Sequence, residues 1–250
     1  MRNKKRHFFS WNWALLLVLL LQLCWRYEKK SKQIDIKPKE NRVPEGFHIH
    51  GIDVSRYNGN ISWEGVSKAV LDSNKIKFVF IKSSEGVELN DRTFERNWHW
   101  AGKQKLCRGS YHYFSPQVDP TIQAKHYIQH NKLEKGDLPP VLDIEDCGKK
   151  SDKAVVSACK KWLKIIEKHY GVKPIIYTYL HFYNKILRGK IKGYPIWIAK
   201  YGEGFPQIDE NNKLIFWQHS DKGRIPGINS DVDLNVIYGD SIALQYLCLQ

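Results

Sequence analysis

Acidic residues occupy the ends of three segments that otherwise have the composition of buried strands. Asp143 and Glu145 lie in the run Val141–Asp146, Asp53 stands between two apolar residues, and Asp233 is near the start of a late apolar segment. Because side chains alternate across a strand, Asp143 and Glu145 share one face of theirs. If these strand ends meet at one rim, up to four carboxyl groups converge there.

Carboxyl groups crowded in this way repel one another, so at least one should keep its proton near neutral pH. Cleavage of a glycosidic bond needs this arrangement: a protonated acid for the leaving oxygen and an ionised partner that supports an oxocarbenium-like transition state. A buried strand seldom carries two acids without a function. Asp146 alternates to the other face and is interpreted as a surface or capping residue. The other four acids are therefore our candidate catalytic residues.

The elements that must position these acids can be predicted from residue pattern. Runs rich in β-branched and aromatic residues predict eight strands, at His48–Val54, Phe78–Ser83, Gly109–Phe114, Pro140–Ile144, Pro174–Tyr179, Pro195–Lys200, Ile215–Gln218 and Asp233–Ile237. Apolar spacing near 3.6 residues predicts helices between the earlier strands, at Trp63–Leu71, Arg92–Lys105, Pro120–Asn131, Ser151–Tyr170 and His181–Leu187. After Tyr194 the predicted strands are too close together for full helices to fit between them. We therefore expect the last strands to be connected mostly as hairpins. The pattern predicts an α/β barrel that is antiparallel at its end.

Four aromatic residues at or near predicted strand ends could stack on sugar rings. They are Tyr111, Tyr177, Trp197 and Trp217. Packing in the core or at the rim is the alternative interpretation of each. His112 is out of phase with its tyrosine neighbours and is expected to be a hydrogen-bonded core histidine.

The formal charge of +14 is unevenly distributed, because residues 1–45 hold eleven Lys and Arg against four Asp and Glu. The body is moderately basic and shows no Arg-rich helix or RNA-binding aromatic signature, so nucleic acid is not an expected partner. The five cysteines include no Cys-x-x-Cys pair, and we expect neither a metal site nor a cofactor. Their spacing specifies no disulfide framework. Cys159 should be a buried free thiol on a helix.

The N-terminus has the pattern of a membrane signal. A basic cluster precedes the apolar stretch Phe8–Trp25, and no cleavage site with small residues follows. We predict that residues 1–27 anchor the chain in the membrane with the body exported in the cell envelope; secretion after signal cleavage is the alternative. Residues 28–46, Lys-rich with two prolines, predict a linker, and residues 47–250 the catalytic body.

Seven motifs in this sequence resemble, in their order, the lysozymes of glycoside hydrolase family 25. They are Gly51-Ile-Asp-Val-Ser-Arg-Tyr-Asn-Gly59 followed by Trp63, Phe80-Ile-Lys-Ser-Ser-Glu-Gly86, Gly109-Ser-Tyr-His-Tyr113, Leu142-Asp-Ile-Glu145, Trp197-Ile-Ala199, Trp217-Gln218 and Val232-Asp-Leu-Asn235. The resemblance covers about residues 47–238. Asn58 departs from the glutamine common in the family, and Ser83-Ser-Glu-Gly86 from its Ala-Thr-Glu-Gly; neither change involves a candidate acid.

The resemblance implies an N-acetylmuramidase on an incomplete, flattened TIM-like β/α barrel. It would cut the β-1,4 bond between N-acetylmuramic acid and N-acetylglucosamine in peptidoglycan, with Glu145 as proton donor and Asp143, Asp53 and Asp233 as acidic partners. The role of each partner and the stereochemical outcome stay open. We expect a monomer whose substrate is peptidoglycan.

Three alternatives remain. A chitinase-like glycosidase would carry a further Asp where Val141 stands. A metal-dependent phosphoesterase would usually add histidine ligands at strand ends, where this chain offers His112 alone. The third is a catalytically silent peptidoglycan-binding barrel, against which the four intact acids argue.

Overall fold

The structure is a computed structural model that describes residues 42–250. The strands in this range are β1 His50–Val54, β2 Val70–Leu71, β3 Asn74–Glu85, β4 Leu89–Asn90, β5 Cys107–Tyr113, β6 Val141–Asp143, β7 Ile175–Tyr179, β8 Pro195–Ala199, β9 Lys213–Gly223 and β10 Val232–Ile237. The helices are α1 Trp63–Lys68, α2 Phe94–Lys103, α3 Pro120–His130, α4 Asp152–Tyr170, α5 Leu180–Phe182 and α6 Ser241–Leu247. A 3-10 turn covers Arg56–Asn58, and α5 continues into a π-helical turn, Tyr183–Leu187. The predicted anchor and most of the predicted linker lie outside the described residues.

Eight strands form a sheet that closes on itself. Their order is β1–β10–β9–β8–β7–β6–β5–β3, and β3 pairs with β1 again. Strand β10 is antiparallel to both of its neighbours, whereas the other pairs are parallel. The predicted α/β fold with eight strands and an antiparallel end is therefore confirmed as a barrel-like sheet. The predicted hairpin is found for β9 and β10, which are antiparallel. It is wrong for β8 and β9, which are parallel. Residues 200–212 return the chain from the end of β8 to the start of β9 without forming a helix.

Two features near the predicted helices differ from the sequence analysis. The helix predicted to reach Leu71 ends at Lys68, because Val70 and Leu71 pair with the first two residues of β3 in a tight hairpin. Asp72 and Ser73 form the turn with positive φ angles. The sequence pattern did not predict the C-terminal helix, α6. It begins at a capping interaction in which the Asp240 side chain accepts from the Ala243 N–H (2.9 Å).

Helix α4 is the clearest case of sequence pattern specifying structure. Its buried stripe packs against the outside of the barrel and includes Cys159, a buried free thiol as predicted. The Ser151 hydroxyl accepts from the third N–H of the helix, and Gly171 ends the helix in the left-handed conformation (φ 71°). Together with α3 this helix covers the outer face of β5 to β7, while α1 and α2 cover β1 and β3.

The interior of the barrel is filled by an aromatic floor, defined as Phe78, Phe80, Trp197 and Phe216. Phe80 stacks on Trp197 with ring centroids 4.4 Å apart, and Phe78 lies 5.0 Å from Phe216. Leu244 of α6 belongs to the same cluster and closes it from below. The floor separates the lower end of the barrel from the carboxyl ends of the parallel strands, where polar side chains begin.

Two glycines make room for the aromatic floor. A Cβ on Gly51 would stand 2.3 Å from the Phe78 ring, and one on Gly109 would stand 2.6 Å from the ring of Phe80. Both separations are shorter than van der Waals contact. Phe78 and Phe80 thus each need a glycine on the neighbouring strand in order to fill the centre of the barrel.

Within residues 42–250, no helix is long and apolar enough to cross a membrane. The packed body starts inside the predicted linker, because Val43 packs against two apolar clusters of the body.

Gly51→Ala is expected to lower the free energy of unfolding by about 1–3 kcal/mol, because the added methyl group collides with Phe78. Chemical denaturation of the variant measures this change. Combining it with Phe78→Leu should cost less than the sum of the two single changes, since the smaller side chain relieves the collision. Additive effects in this double-mutant cycle would contradict the close-packing explanation.

Candidate active site

A pocket of about 300 Å³ opens above the aromatic floor, and we call it the catalytic pocket. All four candidate acids line it, Asp53, Asp143, Glu145 and Asp233. Its other lining residues are Ser55, Tyr57, Lys82, Tyr111, Tyr113, Tyr177, Tyr179, Trp197, Tyr201, Gln218 and Asp221. A larger cavity of about 590 Å³ lies elsewhere, but within its described lining there is no candidate acid. The convergence predicted from the strand pattern is therefore found in the smaller pocket.

Strand register brings the acids together. Asp53 near the end of β1 pairs with Asp233 near the start of β10, because antiparallel strands place opposite ends side by side. Asp143 ends β6 and pairs with Tyr113 on one side and Tyr177 on the other. The Ile144 N–H still donates to the Tyr177 carbonyl (3.0 Å), so the side chain that follows it, that of Glu145, lines the same pocket as Asp143.

Asp53 is held as a hydrogen-bond acceptor. Its Oδ2 accepts from Gln218 Nε2 (2.8 Å) and from Asn235 Nδ2 (2.7 Å). These amides are oriented in turn: Trp197 Nε1 donates to Asn235 Oδ1 (2.8 Å), and the hydroxyl of Tyr177 donates to Gln218 Oε1 (2.9 Å). The network leaves both amide N–H groups directed at one carboxylate, an arrangement that favours its ionised form.

The two amide donors on Asp53 favour placing the proton of this pair of acids on Asp233. Burial raises the pKa of Asp233 to about 9, and the charge and hydrogen bond of Asp53 act in the same direction. Burial also raises the pKa of Asp53, but its hydrogen bonds from Asn235, Gln218 and Asp233 oppose this rise. Asp233 is thus the donor and Asp53 the acceptor of their mutual hydrogen bond at neutral pH.

Asp143 and Glu145 form the second pair of acids. Burial raises the pKa of Asp143 well above its ordinary value, and the charge of Glu145 adds to the rise. Burial, followed by the charge of Asp53, raises the pKa of Glu145 to about 7, whereas the Lys82 ammonium lowers it. Lys82 itself forms an ion pair with Glu85 (Nζ to Oε2, 2.7 Å). Asp143 Oδ1 is buried and has no hydrogen-bond partner within the described chain.

Three of the four predicted aromatic contacts lie in the catalytic pocket. Tyr111, Tyr177 and Trp197 line it, although Trp197 is almost fully buried and contributes to the floor rather than to an open stacking surface. The fourth, Trp217, lies outside this pocket and lines the larger cavity. Alternation along β9 explains the difference: because Gln218 points inward, Trp217 points outward, where its Nε1 donates to the Lys200 carbonyl (2.7 Å).

Several pocket residues were not among the sequence candidates. Tyr57, Tyr179 and Tyr201 are the more exposed tyrosines of its rim, each at least 39% exposed. Tyr179 ends β7, and Tyr201 follows the end of β8 by two residues. A search for aromatic residues at strand ends could have found both. Lys82 and Gln218 lie within the family motifs, but their residue types did not indicate a functional role. An isolated Lys or Gln on a strand can serve many structural purposes.

His112 has the structural role predicted for it. Its Nδ1 lies 2.9 Å from Ser84 Oγ, its Nε2 lies 3.2 Å from Gln123 Oε1, and its ring stacks on Trp162. Burial lowers its pKa to about 3, so the imidazole is neutral. Within residues 42–250 there is no group of three or more His, Cys, Asp or Glu side chains arranged to hold a metal ion.

Residues 52–228 match the model of the glycosyl hydrolases family 25. The chain belongs to this family. Protein YegX of Escherichia coli K12 is 44% identical over 204 residues, which are 82% of this chain and 75% of YegX. Lysozyme M1 of Streptomyces globisporus is 29% identical over 78% of this chain and 70% of its own.

Solved structures of family members have the same fold. A family 25 glycosyl hydrolase from Bacillus anthracis superimposes with a TM-score of 0.74 at 30% identity, over 83% of this chain and 97% of that chain. A bacterial lysozyme from Streptomyces coelicolor gives 0.72 at 27% identity, over 82% and 98%. The family resemblance inferred from seven short motifs is confirmed.

The paired acids make stability depend on pH in a way that Asp233→Asn should reveal. Because folding raises the pKa of Asp233 from near 4 to about 9, its protonation stabilises the fold fully below pH 4, and this contribution is lost as pH rises towards 9. Asparagine donates the same hydrogen bond without a proton to lose. We expect the melting temperature of the variant to exceed that of the wild type by a margin that grows from pH 4 to pH 9.

Melting curves at several pH values measure this margin, with Asp231→Asn, an exposed aspartate in an ion pair, as the matched control. A margin that shrinks as pH rises would contradict the placement of the proton on Asp233.

Proposed function

We propose that this chain is an N-acetylmuramidase that hydrolyses the β-1,4 bond between N-acetylmuramic acid and N-acetylglucosamine in peptidoglycan. The observation that carries the proposal is the meeting of four acids with different protonation in one pocket of a family 25 glycosyl hydrolase. Relatives named as lysozymes support the choice of substrate. We further infer that the barrel is a reduced TIM-like barrel, because full helices cover its earlier strands alone; a flattened cross-section stays a prediction.

Glu145 is the proposed proton donor. It is half-buried rather than buried, so a leaving oxygen can reach it, and a pKa of about 7 leaves a substantial protonated fraction near neutral pH. In the proposed step its proton passes to the glycosidic oxygen while the bond from that oxygen to the sugar C1 breaks. Water then adds at C1 and restores a proton to the carboxylate.

Asp53 is the proposed ionised partner. Positive charge develops at the sugar ring as the bond breaks, and a fixed carboxylate in a water-poor pocket stabilises it without reorganisation. The two amide donors orient this carboxylate and favour its ionised form. Asp143, whose Oδ1 has no protein partner in the described chain, is available for a hydrogen bond to the substrate, and Asp233 keeps the shared proton away from Asp53.

Sugar contacts are proposed for Tyr111 and Tyr177, and for the rim tyrosines Tyr57, Tyr179 and Tyr201. Their rings border the acids and offer apolar faces with a hydroxyl at the edge, which suits the alternating apolar and polar surfaces of a sugar. Trp197 supports the pocket from below, and we no longer assign a sugar contact to Trp217.

We propose that residues 1–27 anchor the chain and that the catalytic body is exported as a monomer. The basic cluster and apolar stretch of the N-terminus support this, as does a substrate that lies outside the cytoplasmic membrane. We expect the full-length protein to stay in membranes washed with carbonate. In spheroplasts, we expect protease added outside the cells to digest the catalytic body. Release of a shortened protein would indicate signal cleavage, and light scattering of the detergent-solubilised chain tests the monomer.

The substrate assignment can be tested by the chemistry of the new chain ends. The full-length protein in mild detergent is incubated with peptidoglycan, and the products are reduced with borohydride and hydrolysed. Reduced muramic acid is expected. Reduced glucosamine would indicate a different glycosidase, activity lost with EDTA would favour the metal-dependent alternative, and no new ends would favour a silent binding module.

Glu145→Gln is expected to reduce turnover about a hundredfold or more, because the amide cannot supply the proton to the leaving oxygen. Initial rates on peptidoglycan measure the loss. The matched control is Asp146→Asn, an exposed neighbour outside the pocket, which should remain active. Near-normal turnover of the Glu145 variant would remove its assignment as proton donor.

The alkaline limb of the pH profile should report the same residue. As pH rises through about 7, Glu145 loses the proton it must donate, so kcat/KM should fall. Lys82→Met removes a charge that lowers the pKa of Glu145, and this limb should therefore move to higher pH, whereas Lys82→Arg should leave it nearly in place. A limb that does not respond to the charge at this position would point to another acid.

A further inference from the structure

Two cysteines far apart in the chain meet at the lower end of the barrel. Cys107 begins β5, Cys248 directly follows α6, and their sulfur atoms lie 3.0 Å apart. Both are free thiols and both are half-buried. The other described cysteines, Cys147 and Cys159, do not take part in this contact.

The backbone around Cys248 is held in place independently of the sulfur contact. The Leu249 N–H donates to the Asp137 carbonyl (2.8 Å), and the Gly136 N–H donates to the Leu249 carbonyl (2.9 Å). Leu244, one helical turn before Cys248, is buried in the cluster that contains the aromatic floor. The position of Cys248 beside β5 therefore follows from packing and backbone hydrogen bonds.

Solvent can reach this pair. An open cavity of about 400 Å³ is lined by both cysteines and by Lys105 and Lys135. The two ammonium groups attract an anionic oxidant such as oxidised glutathione, whereas the Asp137 carboxylate raises the pKa of both thiols. The contact between the thiols lowers the pKa of Cys248 and raises that of Cys107.

We propose that Cys107 and Cys248 form a disulfide that fastens the C-terminal helix to the barrel when the domain is in an oxidising compartment. Cys248 thiolate attacks one sulfur of a small or protein disulfide and releases one thiol of that oxidant. Cys107, after losing its proton, attacks the Cys248 sulfur of the mixed disulfide and releases the second thiol. Two protein thiols are oxidised and one external disulfide is reduced.

The bond would act on stability and leave catalysis unchanged. It closes a loop from residue 107 to residue 248 that contains β5 to β10, six of the eight barrel strands, which restricts the unfolded chain. The acids lie above the aromatic floor and the cysteines lie at the opposite end, so no group in the catalytic pocket changes partner. The inference does not depend on the muramidase assignment, since its primary readout is thiol chemistry.

The test uses the full-length protein carrying Cys24→Ser, in mild detergent, equilibrated with oxidised glutathione or with dithiothreitol. Free thiols are then alkylated and the protein is digested with trypsin. The expected product is Leu106–Arg108 joined to Ile225–Gln250, two hydrogen masses below the sum of its peptides. The oxidised protein should melt about 5–15 °C above the reduced protein.

Cys248→Ser separates the disulfide from other effects of oxidation. This variant should melt like the reduced parent under both conditions, and its rate on peptidoglycan should equal that of the parent. Cys147→Ser is the matched control and should keep the oxidation-dependent rise. Complete alkylation of Cys107 and Cys248 after oxidation, a stable glutathione adduct on either residue, or a linkage to another cysteine would overturn the proposal.

Discussion

Burial of several carboxyl groups at one end of a barrel is the constraint around which this structure is arranged. Charges so close to one another and so poorly hydrated cannot all ionise, and the fold distributes protons among them. Asp53 receives N–H donors from Gln218 and Asn235 and accepts from Asp233, while Glu145 lies nearer the solvent with Lys82 close by. Acids of one chemical type thereby acquire different protonation states, which glycosidic cleavage requires.

The apolar structure below the pocket makes this electrostatic arrangement possible. The aromatic floor blocks water from the lower end of the barrel, and Trp197 belongs both to the floor and to the hydrogen-bond network through Asn235. Glycines opposite the phenylalanines keep the strands close enough for the rings to fill the centre. Packing and the electrostatics of the pocket are therefore coupled, because a displacement of Trp197 would also displace the Asn235 amide that donates to Asp53.

Local pattern was sufficient where one short-range rule dominated. The apolar stripe and the two ends of α4 identify that helix, and alternation continued two residues beyond β6 correctly places Asp143 and Glu145 on one side. The rule fails where distant partners compete with it. Leu71 has helical spacing but joins a hairpin with β3, and the short α6 gains its stability by packing beneath the barrel. Such partners are separated along the chain and leave no local signal.

The sequence by itself determined the family, the eight barrel strands and the identity of the four acids, because motif order, period-two alternation and acids on apolar strands are all local properties. The tertiary structure decided how these parts act together. Closure of the sheet set Asp53 beside Asp233, the register of β9 put Gln218 in the pocket and Trp217 outside it, and the packing of α6 brought Cys248 to Cys107. Each outcome depends on strand register or on contacts between residues far apart in the chain. These are set by the packing of the whole barrel and not by any local stretch of sequence.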